Sequence, residues 1–154
     1  MTKPLRQRVF TYITRHDQLL LLAYVDGSYA VPQLPGGTVK LGEQPADAAL
    51  REAQEETGLT QLQLVKCLGH FERDLTDIGR DERIEAWFFH LHTVEATPAR
   101  WRHFECDSSE GLGPIEFELS WQPLTAIARL GAIDQTMSAQ LYASLREQGV
   151  PLEA

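Results

Sequence analysis

Residues 37–59, GTVKLGEQPADAALREAQEETGL, decide how this chain is read. Pro45 suits the first turn of a helix, Ala46, Ala49, Leu50 and Ala53 recur at helical spacing, and Gly58 marks a stop. A helix is therefore predicted over Pro45–Thr57, with those four residues as its apolar stripe. Glu52, Glu55 and Glu56 stand at i, i+3 and i+4, so this helix carries three carboxylates on one face. Like charges at that spacing repel by roughly a few tenths of a kcal/mol per exposed pair, and more when desolvated. A hard divalent cation, which prefers oxygen ligands, neutralises such a cluster. The Pro35-Gly36-Gly37 turn just upstream carries little side chain, so backbone groups there can approach a metal or a phosphate closely. Arg51 lies beside the glutamates and is placed to pair with Glu43, fixing the turn against the helix.

Outward from this stretch the chain alternates between strand and turn signals. Residues 9–14 and 19–25 are rich in β-branched, aromatic and aliphatic side chains, and the polar residues 15–18 between them predict a hairpin. Residues 29–31 and those before Pro35 read as short extended pieces. Residues 62–71 and 84–93 read as strands, separated by an exposed polar loop over 72–83. Ile115, Phe117, Leu119 and Trp121 alternate with Glu116, Glu118 and Ser120, which predicts a half-buried strand. A short helix is expected over 123–130, and a longer one over 134–148 with Met137, Leu141 and Leu145 on one face. Strands flanked by a mid-chain and a C-terminal helix indicate a mixed α/β or α+β sandwich. No repeat or linker-like tract divides the 154 residues, so a single domain over 1–154 is expected.

Composition narrows the function. The 22 acids outnumber the 14 Lys and Arg residues, for a net charge of −8, which counts against non-specific binding to nucleic-acid phosphate. It leaves room for a small phosphorylated substrate, because a divalent metal supplies the missing positive charge. Residues 37–59 hold five acids and two bases, residues 72–85 six and three, and residues 105–118 five and none. At least one of the latter two segments is expected to line the same cleft as the glutamate helix. Cys67 and Cys106 cannot form a disulfide framework and read as reduced thiols. The N-terminal residues show no apolar targeting segment, and no run reaches membrane-spanning length, so a cytoplasmic protein without a membrane partner is expected.

The 37–59 stretch resembles the signature of Nudix hydrolases, G-x5-E-x7-R-E-U-x-E-E-x-G-U, in which U is a bulky aliphatic residue. Gly37, Glu43, Arg51, Glu52, Glu55, Glu56, Gly58 and Leu59 match it, and Ala53 is smaller than the usual residue at its place, which bears on local packing. A chance match to the fixed positions is on the order of one in a million for a chain of this length. The resemblance implies an α/β fold, an α/β/α sandwich around a mixed sheet. It also implies hydrolysis of a nucleoside diphosphate linked to a second group. Glu52, Glu55 and Glu56, with the Gly36 carbonyl, would hold Mg²⁺ or Mn²⁺, and Glu43 and Arg51 would support them. The partner expected is a small nucleotide substrate, and a homodimer fits the family's habits.

Outside this motif the signals are single residues. Glu82, Glu85, Glu105, Glu110, Glu116 and Glu118 are candidates for an additional carboxylate, and Glu105 and Glu116 for substrate contact. Arg6, Arg8, Arg73, Arg80 and Arg83 are candidate phosphate contacts, Arg8 and Arg83 foremost. His90 and His92 share a strand face but have no third ligand at suitable spacing, so a structural role is expected. His103, between Trp101 and Phe104, reads as a packing residue. The sequence marks of the ADP-ribose, diadenosine polyphosphate, NADH and coenzyme A subgroups are missing. That leaves a free nucleoside di- or triphosphate or a nucleotide sugar as the favoured substrate. A non-catalytic nucleotide sensor and an RNA 5′-end pyrophosphohydrolase are the alternatives.

Overall fold

In the computed structural model, which describes residues 3–105 and 114–152, the apolar runs become one mixed sheet. Its strands are β1 (Leu5–Arg15), β2 (Gln18–Tyr24), β3 (Gly36–Thr38), β4 (Gln63–Asp74), β5 (Arg83–His92), β6 (Arg100–Glu105) and β7 (Ile115–Pro123). The order across the sheet is β4-β5-β1-β2-β7-β6. β1 and β5 run parallel from Leu5↔Arg83 to Thr14↔His92, whereas the remaining pairings are antiparallel. Helix α1 (Pro45–Thr57) covers one face and α2 (Ser138–Glu147) the other.

Period-2 alternation divides the apolar side chains between these layers. Val9, Ile13, Leu20, Leu22, Phe89, Leu91, Phe117 and Leu119 pack with Ala48, Ala49 and Ala53 of α1. Tyr12, Leu19, Leu21, Ala86 and Phe88 pack with Leu141 and Leu145 of α2. The result is an α/β/α sandwich, as the sequence led one to expect.

The detail that matters for function lies between β1 and β2. They pair only at their hairpin end, Thr14↔Leu19 and Arg15↔Gln18, and then diverge. Residues 33–38 enter the fork. Gln33 bridges to Leu22, the Thr11 amide donates to the Pro35 carbonyl, and β3 pairs with Arg8–Phe10 of β1. The Pro-Gly-Gly turn thus sits inside the sheet, beneath α1.

Three local expectations change. The segment 72–83 is largely ordered structure: β4 continues to Asp74, a 3₁₀ turn covers Thr76–Ile78, and β5 begins at Arg83. Ion pairs Arg73–Asp77, Arg6–Glu82 and Arg80–Glu82 tie the turn down, which a polar composition alone does not reveal. The C-terminal helix starts at Ser138 instead of Asp134, because Asp134 is drawn inward to accept the Leu34 amide. Met137, Leu141 and Leu145 are buried as expected. The segment over 123–130 is a 3₁₀ helix, Leu124–Arg129. β6 was not anticipated, although Trp101 and His103, half-buried, and Glu105, buried, alternate with exposed Arg100, Arg102 and Phe104. Cys67 is a free, exposed thiol, while Cys106 and Glu110 lie outside the described residues.

His90 is fully buried and structural, its Nε2 2.7 Å from the Thr14 hydroxyl and its Nδ1 2.7 Å from the Ser144 hydroxyl. Burial, with a smaller contribution from His92, pushes its pKa down to about 4. The folded state therefore favours neutral imidazole, and the associated stability is present above the unfolded value of about 6.5 and lost as pH falls through 4. Urea unfolding at pH 7.5 and 4.5 should show that loss, and His90→Gln should flatten it. An equal pH slope in both proteins would remove His90 as its cause.

Candidate metal and pyrophosphate site

α1 is the scaffold of the site. Its buried face consists of Ala48, Ala49, Glu52, Ala53, Glu56 and Thr57, so two of the three glutamates share the inward side with alanines, and Ala46 and Leu50 sit at its half-buried margin. Small alanines let the helix lie close above the fork, which brings the longer Glu52 and Glu56 side chains into contact with the turn below. Gly58 ends the helix at φ +78, a conformation that L side chains rarely adopt, and a Cβ there would lie 2.9 Å from the His103 ring. His103 is thereby a packing residue at the helix end, as expected.

Arg51 organises the outer side. Its Nε and Nη2 donate to the two Glu43 carboxylate oxygens at 2.8 and 2.9 Å, a bidentate pair. Its Nη1 donates to Glu52 at 2.8 Å and Glu55 at 3.3 Å, and Nη2 also reaches the Thr38 carbonyl at 3.1 Å. These hydrogen bonds, above all those from Arg51, hold the Glu43 carboxyl down at about 2. The expected Glu43–Arg51 pairing is present in this geometry.

On the inner side the carboxylates converge. One oxygen each from Glu52, Glu55 and Glu105 lie within 4.8 Å of one another. Glu105 arrives from the end of β6, so the third member of this cluster is Glu105, whereas Glu56 turns to accept the Gly36 amide at 2.6 Å. Burial pushes the Glu52 carboxyl above its usual range, against the pull of Arg51. Glu56 is pushed up further, by burial first and then by Glu105. An all-oxygen, mutually repelling donor set, with Glu52 and Glu105 buried and Glu55 half-buried, fits a hard divalent cation. Gly37 completes the cradle, because a Cβ on it would land on the Glu52 carboxylate. Gly37→Ala is accordingly expected to destabilise the fold by about 1–3 kcal/mol and to weaken Mn²⁺ binding. Thermal melts with and without Mn²⁺ test this, and a metal response equal to wild type would contradict it.

The cluster opens into a cavity of about 330 Å³. Its walls are Gly36, Gly37, Glu52, Glu56 and Glu105 at one end, with Arg8, Phe10, Gln33, Arg80, Ile133 and Asp134 among the other lining residues. Arg8 keeps a buried Nε that has no hydrogen-bond partner among the described residues. Asp134 is pushed up to about 6 by burial, and one of its oxygens accepts the Leu34 amide at 3.0 Å. Leu75, Ile78 and Ile84 from one acidic segment and Glu105, Ile115 and Phe117 from the other line this same cavity. Both acidic segments therefore reach the cleft, but most of their carboxylates face elsewhere, in pairs such as Asp74–Lys3, Asp77–Arg73 and Glu118–Arg100.

Of the described sequence candidates, Arg8, Arg80 and Glu105 line the cavity, whereas Arg6, Arg73, Arg83, Glu82, Glu85, Glu116 and Glu118 do not. Arg83 donates to the Lys3 carbonyl at 3.2 Å and lies 3.7 Å from Glu72, outside the cavity lining. Glu116 points to the other face of β7, 3.8 Å from Arg102. Tyr24, Gln33, Phe10 and Asp134 line the cavity without having been singled out, since no motif links them and they lie on four separate segments.

A NUDIX domain model matches residues 4–141. The chain belongs to the Nudix family. Among solved structures, a MutT protein from Methanosarcina mazei Go1 superposes with a TM-score of 0.62 at 24% identity, covering 96% of this chain and 98% of that one. A NUDIX hydrolase from Nitrosomonas europaea gives 0.66 at 20% identity over 92% and 90% of the two chains. A UDP-X diphosphatase gives 0.64 at 15% identity, covering 96% of this chain and 66% of that one. These likenesses establish the Nudix fold. Among curated proteins, an RNA pyrophosphohydrolase of Brucella ovis is 48% identical over 42 residues, 27% of this chain. The match spans about a quarter of that relative's length (24%). Among the described residues, no helix of this Nudix protein is long and apolar enough to cross a membrane.

Proposed function

We propose that this Nudix protein is a metal-dependent pyrophosphohydrolase that cleaves the linkage between a nucleoside diphosphate and a second group, X. The observation that carries the reading is the convergence of Glu52, Glu55 and Glu105 within 4.8 Å, beside the cavity that Glu52 and Glu105 line. These three, with Glu56 beside them, would hold Mg²⁺ or Mn²⁺. When bound, the cation neutralises the carboxylates, polarises the phosphorus and acidifies a water.

The chain's own residues do the rest. Arg51 keeps Glu52 and Glu55 oriented from outside the cluster. Glu56, anchored by the Gly36 amide beside the cluster, would accept the proton of the attacking water. The water oxygen bonds to phosphorus, the bridging P–O bond breaks, and the leaving phosphate departs with that electron pair. Arg8 sits where it can neutralise the phosphate chain, and the cavity beyond it, with Phe10, Gln33 and Asp134, takes the nucleoside. The sequence favours phosphate or a sugar as X.

Incubating the protein with a panel of nucleotides and Mg²⁺ or Mn²⁺, and measuring phosphate and pyrophosphate release, tests this directly. Turnover abolished by chelation is expected. Tight nucleotide binding without turnover would replace the hydrolase with a sensor. The local identity with RNA pyrophosphohydrolases supports a second reading, action on a 5′-triphosphorylated RNA, which belongs on the same panel. The net charge of −8 weighs against it.

A further inference from the structure

Between Gln33 and Gly36 the chain crosses the fork from β2 to β1. Gln33 exchanges both backbone hydrogen bonds with Leu22 of β2, and the Pro35 carbonyl accepts the amide and the hydroxyl of Thr11 of β1 at 2.9 and 2.7 Å. Proline has no N–H of its own. The amides of its two neighbours donate to side-chain carboxylates, Leu34 to Asp134 at 3.0 Å and Gly36 to Glu56 at 2.6 Å. A buried amide without an acceptor costs about as much as a lost hydrogen bond, so each carboxylate fixes one end of the crossing.

These two carboxylates come from opposite layers. Glu56 reaches down from α1, whereas Asp134 lies just ahead of α2. Asp134 is itself anchored, because its backbone carbonyl accepts the hydroxyl of the fully buried Tyr12. Tyr12 and Leu34 both belong to the core on the α2 side. The backbone between the two grips is stiff, since Pro35 has a fixed φ and restricts Leu34 before it. Gly36 has no slack either, because a Cβ there would collide with the Val9 carbonyl oxygen. A shift at the Leu34 amide is therefore carried through Pro35 to the Gly36 amide, and from there to the Glu56 carboxylate.

We propose that Asp134 is a positioning residue for the reaction. By holding the Leu34 amide it sets the Pro-Gly-Gly turn, and through the Gly36 amide it sets Glu56 beside the cluster of Glu52, Glu55 and Glu105. Lining the nucleoside cavity is a separate role of the same side chain. The effect on turnover rests on the pyrophosphohydrolase reading, whereas the clamp on the turn does not.

Amide hydrogen exchange followed by NMR, with EDTA present and no nucleotide, tests the clamp directly. In Asp134→Ala the amides of both Leu34 and Gly36 are expected to exchange at least about ten-fold faster, while those of β5 keep their wild-type rates. Asp134→Asn, which keeps an oxygen for the Leu34 amide, should restore both. Acceleration confined to Leu34 overturns the proposal, because the shift then never reaches Glu56. Equal acceleration in β5, or Gly36 protection lost equally in Asp134→Asn, overturns it as well. If Asp134→Ala does not fold, Asp134→Ser, whose side chain is too short to make the bond, takes its place.

The kinetics of any nucleotide on the panel that is turned over supply the second measurement. At saturating Mn²⁺, Asp134→Ala should lower kcat by about 10–100-fold, and Asp134→Asn should recover it to within about three-fold of wild type. A loss carried by KM, with kcat at the wild-type value, would leave Asp134 a nucleoside contact alone and overturns the proposal. If wild-type protein turns over nothing, the hydrolase reading fails by itself and the exchange rates decide the clamp.

Discussion

Glu55→Gln and Glu56→Gln are each expected to lower kcat by about 10²–10⁴-fold, with little change in thermal stability, and to do so for different reasons. Glu55 contributes an oxygen to the cluster with Glu52 and Glu105. Glutamine keeps its shape but removes a charge, so the loss should be accompanied by a higher Mn²⁺ concentration for half-maximal activity. In the proposed mechanism Glu56 would accept the water's proton; it is anchored on the Gly36 amide, and glutamine preserves that hydrogen bond through its carbonyl oxygen. Its loss should persist at saturating metal and should remove the acidic limb of the kcat–pH profile. Glu105→Gln belongs with Glu55. Rates that survive both the Glu55 and Glu56 substitutions would dismantle the assignment of this site.

Arg51→Ala should produce the largest loss of stability. The guanidinium serves Glu43, Glu52, Glu55 and the Thr38 carbonyl at once, and its side chain is 21% exposed. Removing one partner of a fully buried ion pair costs about 3–5 kcal/mol because the remaining charge is stranded. Partial solvent access reduces this to about 2–4 kcal/mol here, or a fall in Tm of roughly 5–15 °C for a chain of this size. Two controls distinguish the network from simple loss of packing. Saturating Mn²⁺ should recover part of the deficit, since a cation replaces the missing positive charge beside Glu52 and Glu55. The pH dependence should also change. Glu43 is held down at about 2, so its contribution is present above the unfolded carboxylate value and fades as pH falls through 2. Differential scanning calorimetry should find that acid limb in wild type and not in Arg51→Ala. A variant that melts like wild type at neutral pH would show that the network contributes nothing.

Much of this site was legible because it is local. The i, i+3, i+4 glutamates, the Pro45 start, the Gly58 stop and the Glu43–Arg51 pair all lie within one loop–helix unit whose geometry follows from 3.6 residues per turn. His90 was read as structural and is, since a strand face without a third ligand offers no metal geometry. The alternation in 115–121 likewise located β7. What failed was non-local. The polar composition of 72–83 hid strand ends and a 3₁₀ turn because its charges are spent on ion pairs, within the segment as in Arg73–Asp77 and to β1 as in Arg6–Glu82. β6 went unread because its outward Arg100 and Arg102 meet Glu116 and Glu118 of β7, partners that only the sheet register supplies.

The sequence by itself determined the Nudix helix, the face on which its carboxylates stand and the arginine that steadies them. Tertiary structure decided which carboxylate joins them: Glu105 completes the cluster and Glu56 turns to the Gly36 amide. It also brought Arg8, Tyr24 and Asp134 to the same cavity. The physical reason is the divergence of β1 from β2. Local periodicity cannot encode a fork between two strands, yet the fork admits the glycine turn beneath α1, and every distant residue of the site is positioned relative to that turn.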